Sequence, residues 1–249
     1  MNNNSYKNVL VTGAAQRMGR AIAIDLARTG WAVAVHYNKS ENAAENVVEE
    51  ICTAGGHAIA VSANLALEDE ASTLVERSAK GIGPITCVIN NASIFEQDIP
   101  STVTKTTWDK HMQINLWAPF LLAQAFAEQL PLSNKGNIIN IIDQRVWNLT
   151  PDFISYTLSK SGLWTLTQTL AMAFAPNIRV NAIGPGPTLQ NTYQSETDFS
   201  LECASTPLQQ QVTTEEIART IRFILDAPSL TGQMIAVDAG QHLGPVQRS

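Results

Sequence analysis

The chain has 249 residues, 45% of them apolar and 15% charged, with a formal net charge of −6. That size and composition suit one α/β domain with a full core and argue against a disordered chain. The acidic balance without a basic patch argues against nucleic acid as a general partner, and no run of 18 uninterrupted apolar residues argues for a membrane span.

The elements follow in alternation. Met1–Lys7 holds no apolar signal region, and strand-like sequence begins almost at once. NVLVT (8–12) is a β-branched run ending at Gly13, and 20–30 has apolar residues at helical spacing with a stop at Gly30. AVAVH (32–36) is a strand and 40–54 a helix. AIAVSA (58–63) is a strand, 68–80 a helix and ITCVINNA (85–92) a strand. One long helix is expected over 105–130, then a strand at 137–142, a helix over 153–175 and a strand at 178–186. A helix over 214–226 and a strand at 233–240 close the chain. Nearly all-apolar strands separated by helices predict a doubly wound parallel sheet, a Rossmann fold, as a single domain over 1–249. Its ligands bind beyond the carboxyl ends of the strands, where Gly13, His36, Asn64, Asn91, Asp143 and Pro185 fall. The long irregular stretch 187–212 reads as a lid over a substrate, against a plain surface excursion with a short helix. Cys52, Cys87 and Cys203 lie far apart without metal-type spacing, so free thiols in a reducing cytoplasm and no metal are expected.

TGAAQRMG (12–19) follows the first strand and opens the first helix, which offers free amides and a helix dipole to a pyrophosphate. The usual glycine fingerprint is not met: Arg17 stands where a related pattern has Gly. The second strand ends HYNKS (36–40), with no acid before Glu41. A nucleotide without a 2′-phosphate usually meets an acid there. Instead His36, Asn38, Lys39 and Ser40, with Arg17 nearby, suit the 2′-phosphate of NADPH. The alternative at each point is an ordinary turn with solvated Arg and Lys.

Tyr156 and Lys160 lie at i and i+4 on a predicted helix and so share a face. A neighbouring ammonium favours the phenolate and makes the Tyr a usable proton donor. With TGAAQRMG, NNAS (90–93), Asn115 in QINLW, YTLSK (156–160) and PGPT (185–188), the chain resembles the short-chain dehydrogenase/reductase family over essentially its whole length. The resemblance implies Tyr156 as proton donor, Lys160 on the nicotinamide ribose and Asn115 holding a water in a proton relay. It also implies that Gly13, Arg17, Met18, Asn64, Leu65, Asn91, Ala92 and Ser93, with Pro185, Gly186 and Thr188, pass along the cofactor. The family is commonly tetrameric, built through its two long helices.

The departures narrow the resemblance. The family's usual Ser thirteen residues before the Tyr is Asp143, its phosphate-turn Gly is Arg17, and its adenine-contacting acid is Asn64. Pteridine reductases are similar in the Arg-bearing turn, the His-Tyr-x-basic-Ser segment, NNAS-x-Phe and the Asp-for-Ser exchange. Dihydromonapterin reductases share that exchange. This resemblance implies that Phe95 stacks on a pterin, with Arg17, Ser93, Asp143 and Tyr156 also facing the substrate. Trp147, Leu189 and Tyr193 are further pocket candidates without a motif behind them. An ionised Asp143 would repel the alkoxide of a reduced ketone, but an acid beside Tyr156 can deliver a proton to ring nitrogen of a C=N bond.

Two other readings stand beside this one: a ketone or acyl reductase using NADPH, and a catalytically silent NADPH-binding protein. Asp143 could also be a structural acid paired with Arg145. Phe95 could be a plain core aromatic. His111 and His242 read as surface or interface residues, and Trp31, Trp117 and Trp164 as packing residues, with a subunit contact as the alternative for Trp164.

Overall fold

A computed structural model describes residues 6–244; the ends of the expected domain, 1–5 and 245–249, lie outside the described residues. The chain runs β1 (Asn8–Val11), α1 (Arg17–Arg28), β2 (Ala32–Tyr37), α2 (Glu41–Thr53), β3 (Ala58–Ser62), α3 (Glu68–Ile82) and β4 (Cys87–Asn90). It continues α4 (Lys105–Met112), a π turn (Gln113–Trp117), α5 (Ala118–Gln129), β5 (Gly136–Ile141), α6 (Ile154–Ala173), β6 (Ile178–Pro185), α7 (Glu196–Ser205), α8 (Thr214–Asp226) and β7 (Met234–Val237). The strands form one parallel sheet in the order β3-β2-β1-β4-β5-β6-β7.

Alternation along each strand sorts the core into two layers. Val9, Val11, Val33, Val35, Cys87 and Ile89 point to one face and pack with Ile22, Leu26, Val47 and Ile221 of α1, α2 and α8. Leu10, Ala34, Val88 and Ile138 point to the other and pack with Leu74, Leu122, Phe126 and Leu170 of α3, α5 and α6. Burial on both faces is why the strands read as unbroken apolar runs. Phe126 is among the largest fully buried side chains, and its truncation to Ala would cost about 3–5 kcal/mol.

The structure corrects three expectations. The helix over 105–130 is interrupted by the π turn, because Pro119 lacks the amide that would bond the Asn115 carbonyl in an α-helix. The irregular stretch 187–212 contains α7, started by a capping box in which Ser195 and Asp198 bond each other's backbone. The first helix begins at Arg17, inside the turn, three residues earlier than apolar periodicity indicates.

Candidate active site

Strand order reverses between β1 and β4, and a crevice opens there beyond the strand ends. A cavity of about 920 Å³ occupies it, running from the turn at Gly13–Gly19 to Asp143 and Tyr156. That volume lies in the range of small-molecule sites, about 300–1,000 Å³.

The turn is built for close approach. Gly13 has φ +63°, and a Cβ on Gly19 would lie 2.2 Å from the Gly13 carbonyl oxygen. The N-cap of α1, Gln16, makes no side-chain cap, and Gln16, Arg17, Met18 and Gly19 all line the cavity. The first-turn amides of α1 are thus left for a ligand. Arg17 has φ +54°, a left-handed conformation that explains why glycine is the usual residue there. Its guanidinium donates to the carbonyls of Gln190 (2.8 Å) and Leu189 (3.3 Å) across the crevice.

Behind the turn stands His36, 2% exposed. Its Nδ1 accepts from the Gly13 amide (2.9 Å) and its Nε2 faces the Ala63 carbonyl (3.0 Å), so the neutral ring carries its proton on Nε2. Burial lowers its pKa to about 4. His36 is therefore no phosphate ligand, contrary to expectation; it fixes the turn from beneath. Tyr37, Asn38, Lys39 and Ser40 do line the cavity. Asn64 and Leu65 do not: the Asn64 oxygen accepts from the Ala66 amide, and Leu65 is in the core.

At the other end β5 and α6 bring the expected pair together. The Tyr156 hydroxyl donates to Asp143 Oδ2 at 2.9 Å, and Asp143 Oδ1 accepts from the Arg145 amide at 2.8 Å. Among the described residues no Asp143–Arg145 ion pair forms; the Arg145 guanidinium bonds Thr150 and lies over the Phe153 ring. Burial raises the Asp143 pKa, and it also raises that of Tyr156, with the Asp143 carboxylate adding to the rise. This is the reverse of the expected depression of the phenol: within the protein alone Tyr156 keeps its proton at neutral pH. Lys160 donates to the Ile141 carbonyl at 2.8 Å, and burial lowers its pKa to about 8, opposed by Asp143.

Asn115 is fully buried in the π turn and does not line the cavity. Its side chain accepts from the Ile94 amide and the Ser93 hydroxyl and donates to the Ile94 carbonyl and Ser159, so its amide is saturated and shapes the Ser93 loop. Asn91 donates to the Thr12 and Gly13 carbonyls and ties that loop to the turn. Asn91, Ala92, Ser93, Phe95, Pro185, Gly186 and Thr188 line the cavity, as do Leu189 and Tyr193. Trp147 does not; it stands edge-on to Trp164 and His242. His111 is fully buried rather than superficial, while His242 is partly buried and bonds Asp238.

The sequence reading missed Phe153, Arg145, Gln144, Phe199, Glu202 and Gln241 in the wall. Phe153 holds φ +58° and stacks on Phe95 with ring centroids 4.2 Å apart. The capping pattern Ser-x-x-Asp at 195–198 is the signal that could have placed Phe199 and Glu202 on a helix.

The model of the short chain dehydrogenases matches residues 7–200. The curated 3-oxoacyl-(acyl-carrier-protein) reductase of Synechocystis sp. is 34% identical over 235 residues, covering 93% of this chain and 95% of the relative. Among solved structures, FolM alternative dihydrofolate reductase 1 from Brucella suis, in complex with NADP, matches with TM-score 0.94 and 45% identity, covering 99% of this chain and 98% of that one. The angucycline C-6 ketoreductase LanV with bound NADP matches with TM-score 0.89 and 30% identity, covering 97% and 98%.

Proposed function

This chain belongs to the short-chain dehydrogenase family, and from that premise we propose that it is an NADPH-dependent reductase of a pterin-like C=N bond. The substrate class is a dihydropterin, dihydromonapterin or dihydrofolate. The observation that carries the reading is the 2.9 Å bond between the Tyr156 hydroxyl and the Asp143 carboxylate in the cavity wall. Likeness to an alternative dihydrofolate reductase solved with NADP supports it.

The residues fit the cofactor. Gly13, Arg17, Met18 and the first-turn amides of α1 would hold the pyrophosphate, and Asn38, Lys39 and Ser40 the 2′-phosphate. Asn91, Ala92, Ser93, Pro185, Gly186 and Thr188 would pass along the remainder, with Lys160 toward the nicotinamide ribose. Reduced nicotinamide supplies a hydride to carbon, and the protein must supply a proton to nitrogen. Tyr156 keeps its proton at neutral pH and can give it to nitrogen, and the Asp143 carboxylate, its proton affinity raised by burial, can take up a proton and return it to the phenol. Phe95 offers an aromatic face to a flat heterocycle, with Arg17 and Ser93 at its edges.

A second reading, reduction of a ketone or acyl substrate, is favoured by the 3-oxoacyl reductase and LanV likenesses. Against it, Asp143 puts an acceptor where a developing alkoxide needs a donor. A silent NADPH-binding protein would have no use for the intact Tyr156–Lys160 pair. A turnover panel of dihydrobiopterin, dihydromonapterin, dihydrofolate and simple ketones, followed by NADPH oxidation, tests the proposal. Pterin turnover well above ketone turnover is expected; the reverse order would replace the first reading with the second. The proposal includes a cytoplasmic homotetramer built through the two long helical segments, α4–α5 and α6. No described helix is long and apolar enough to cross a membrane.

A further inference from the structure

Asp98, His111 and Ser155 are 3%, 0% and 0% exposed, and none of them lines the cavity. Burying three polar side chains together is unfavourable unless every donor meets an acceptor. Here each does, and in one direction only. The Glu96 amide donates to His111 Nε2 at 3.2 Å, so the proton of the neutral ring sits on Nδ1. Nδ1 faces Ser155 Oγ at 2.7 Å and donates to it, and the Ser155 hydroxyl then donates to Asp98 Oδ2. Asp98 Oδ1 accepts from the Ser155 amide at 3.2 Å, and the Asp98 carbonyl accepts from the Phe153 amide at 2.7 Å.

The chain therefore joins three segments: the loop carrying Phe95 and Glu96, helix α4 through His111, and the start of α6. What those segments present to the cavity is Phe95, Phe153 and Tyr156. Phe153 is held in the left-handed region, which a bulky side chain occupies only when its surroundings impose it. The His111 ring also stands edge-on to Tyr156, centroids 6.0 Å apart, and Phe95 stands edge-on to Tyr156 at 4.7 Å.

We propose that Asp98, Ser155 and His111 form a positioning device for the reducing site. This one-way hydrogen-bond chain clamps the Phe95 loop and the left-handed Phe153 onto the first turn of α6 and so fixes where Tyr156 presents its hydroxyl. The direction matters. An amide at position 98 would present a donor to Ser155 and turn the hydroxyl toward His111. The imidazole would then have to move its proton to Nε2, against the Glu96 amide.

The test compares His111→Gln with His111→Leu. A carboxamide keeps one donor and one acceptor; leucine keeps only bulk. His111→Leu should lower kcat about tenfold, as a small misplacement of a reacting group does, with the KM for NADPH within about twofold. His111→Gln should restore most of the loss. Equal loss in both variants, or a folded His111→Leu enzyme with unchanged kcat, overturns the proposal. Nitrogen-15 spectra of the wild-type imidazoles decide it even where the leucine variant does not fold. His111 should carry its proton on Nδ1; a proton on Nε2 breaks the chain as drawn and overturns it. The kinetic comparison rests on the reductase reading and the tautomer does not, so failure of the turnover panel and failure of this proposal are distinguishable.

Discussion

At Asp143 a backbone amide and a phenol divide one carboxylate between them: Oδ1 takes the Arg145 amide and Oδ2 the Tyr156 hydroxyl. Both residues are held above their ordinary pKa, chiefly by burial. For Asp143 the sign is that of a raised carboxylate. Its contribution to stability is present below the unfolded pKa and is lost as pH rises through the folded one. Reduction should decline on the alkaline side as the Tyr156–Asp143 pair loses the phenol's proton, and Asp143→Asn, which removes the carboxylate that raises Tyr156, should move that limb of the kcat profile to lower pH. His36 behaves oppositely. Its folded pKa of about 4 lies below the unfolded value of 6.5, so the unfolded chain binds the extra proton between those values. Stability should therefore fall by on the order of 3 kcal/mol as pH drops from about 6.5 to 4. Thermal or urea melts of wild type and His36→Gln across that window check it; equal slopes would contradict the buried neutral ring. Sequence exposed the position of His36 at a strand end, but not the tautomer or the Gly13 bond that remove it from the phosphate site.

At the scale of elements, the segment between β6 and α7 meets the turn through Arg17, whose guanidinium reaches the Leu189 and Gln190 carbonyls. The capping box of Ser195 and Asp198 starts α7, which brings Phe199 and Glu202 to the cavity. Ser195→Ala should weaken this helix by about 0.5–2 kcal/mol and raise the substrate KM more than the NADPH KM, by steady-state kinetics. Between β2 and α2, Lys39 faces the cavity with no carboxylate before Glu41. Lys39→Asp should shift the kcat/KM preference from NADPH toward NADH; an unchanged ratio would place the 2′-phosphate contact elsewhere. Strands were legible because alternation is a local pattern, whereas the Ser-x-x-Asp cap at 195–198, equally local, went unread. The π turn and Phe153 were not legible. Phe153 owes its conformation to Asp98, 55 residues away in sequence, and local pattern carries no trace of such a contact.

Over the whole molecule, the parallel sheet brings the ends of β1, β2, β4, β5 and β6 to one crevice, so residues from Gly13 to Thr188 share a single cavity. That convergence was legible in outline, because the fold class follows from repeated β-α units and ligand position follows from strand ends. The tail segment that adds Gln241 to the same wall was not. The account depends most on one bond of this assembly. Single-turnover hydride transfer to a dihydropterin, measured for wild type and Asp143→Ser with the same enzyme tested on a simple ketone, addresses it directly. Loss of Asp143 should slow pterin reduction by about a hundredfold, within the range of a removed acid–base group, and leave ketone reduction unchanged or faster. Undiminished pterin reduction by the serine variant would contradict proton delivery through the Asp143–Tyr156 pair.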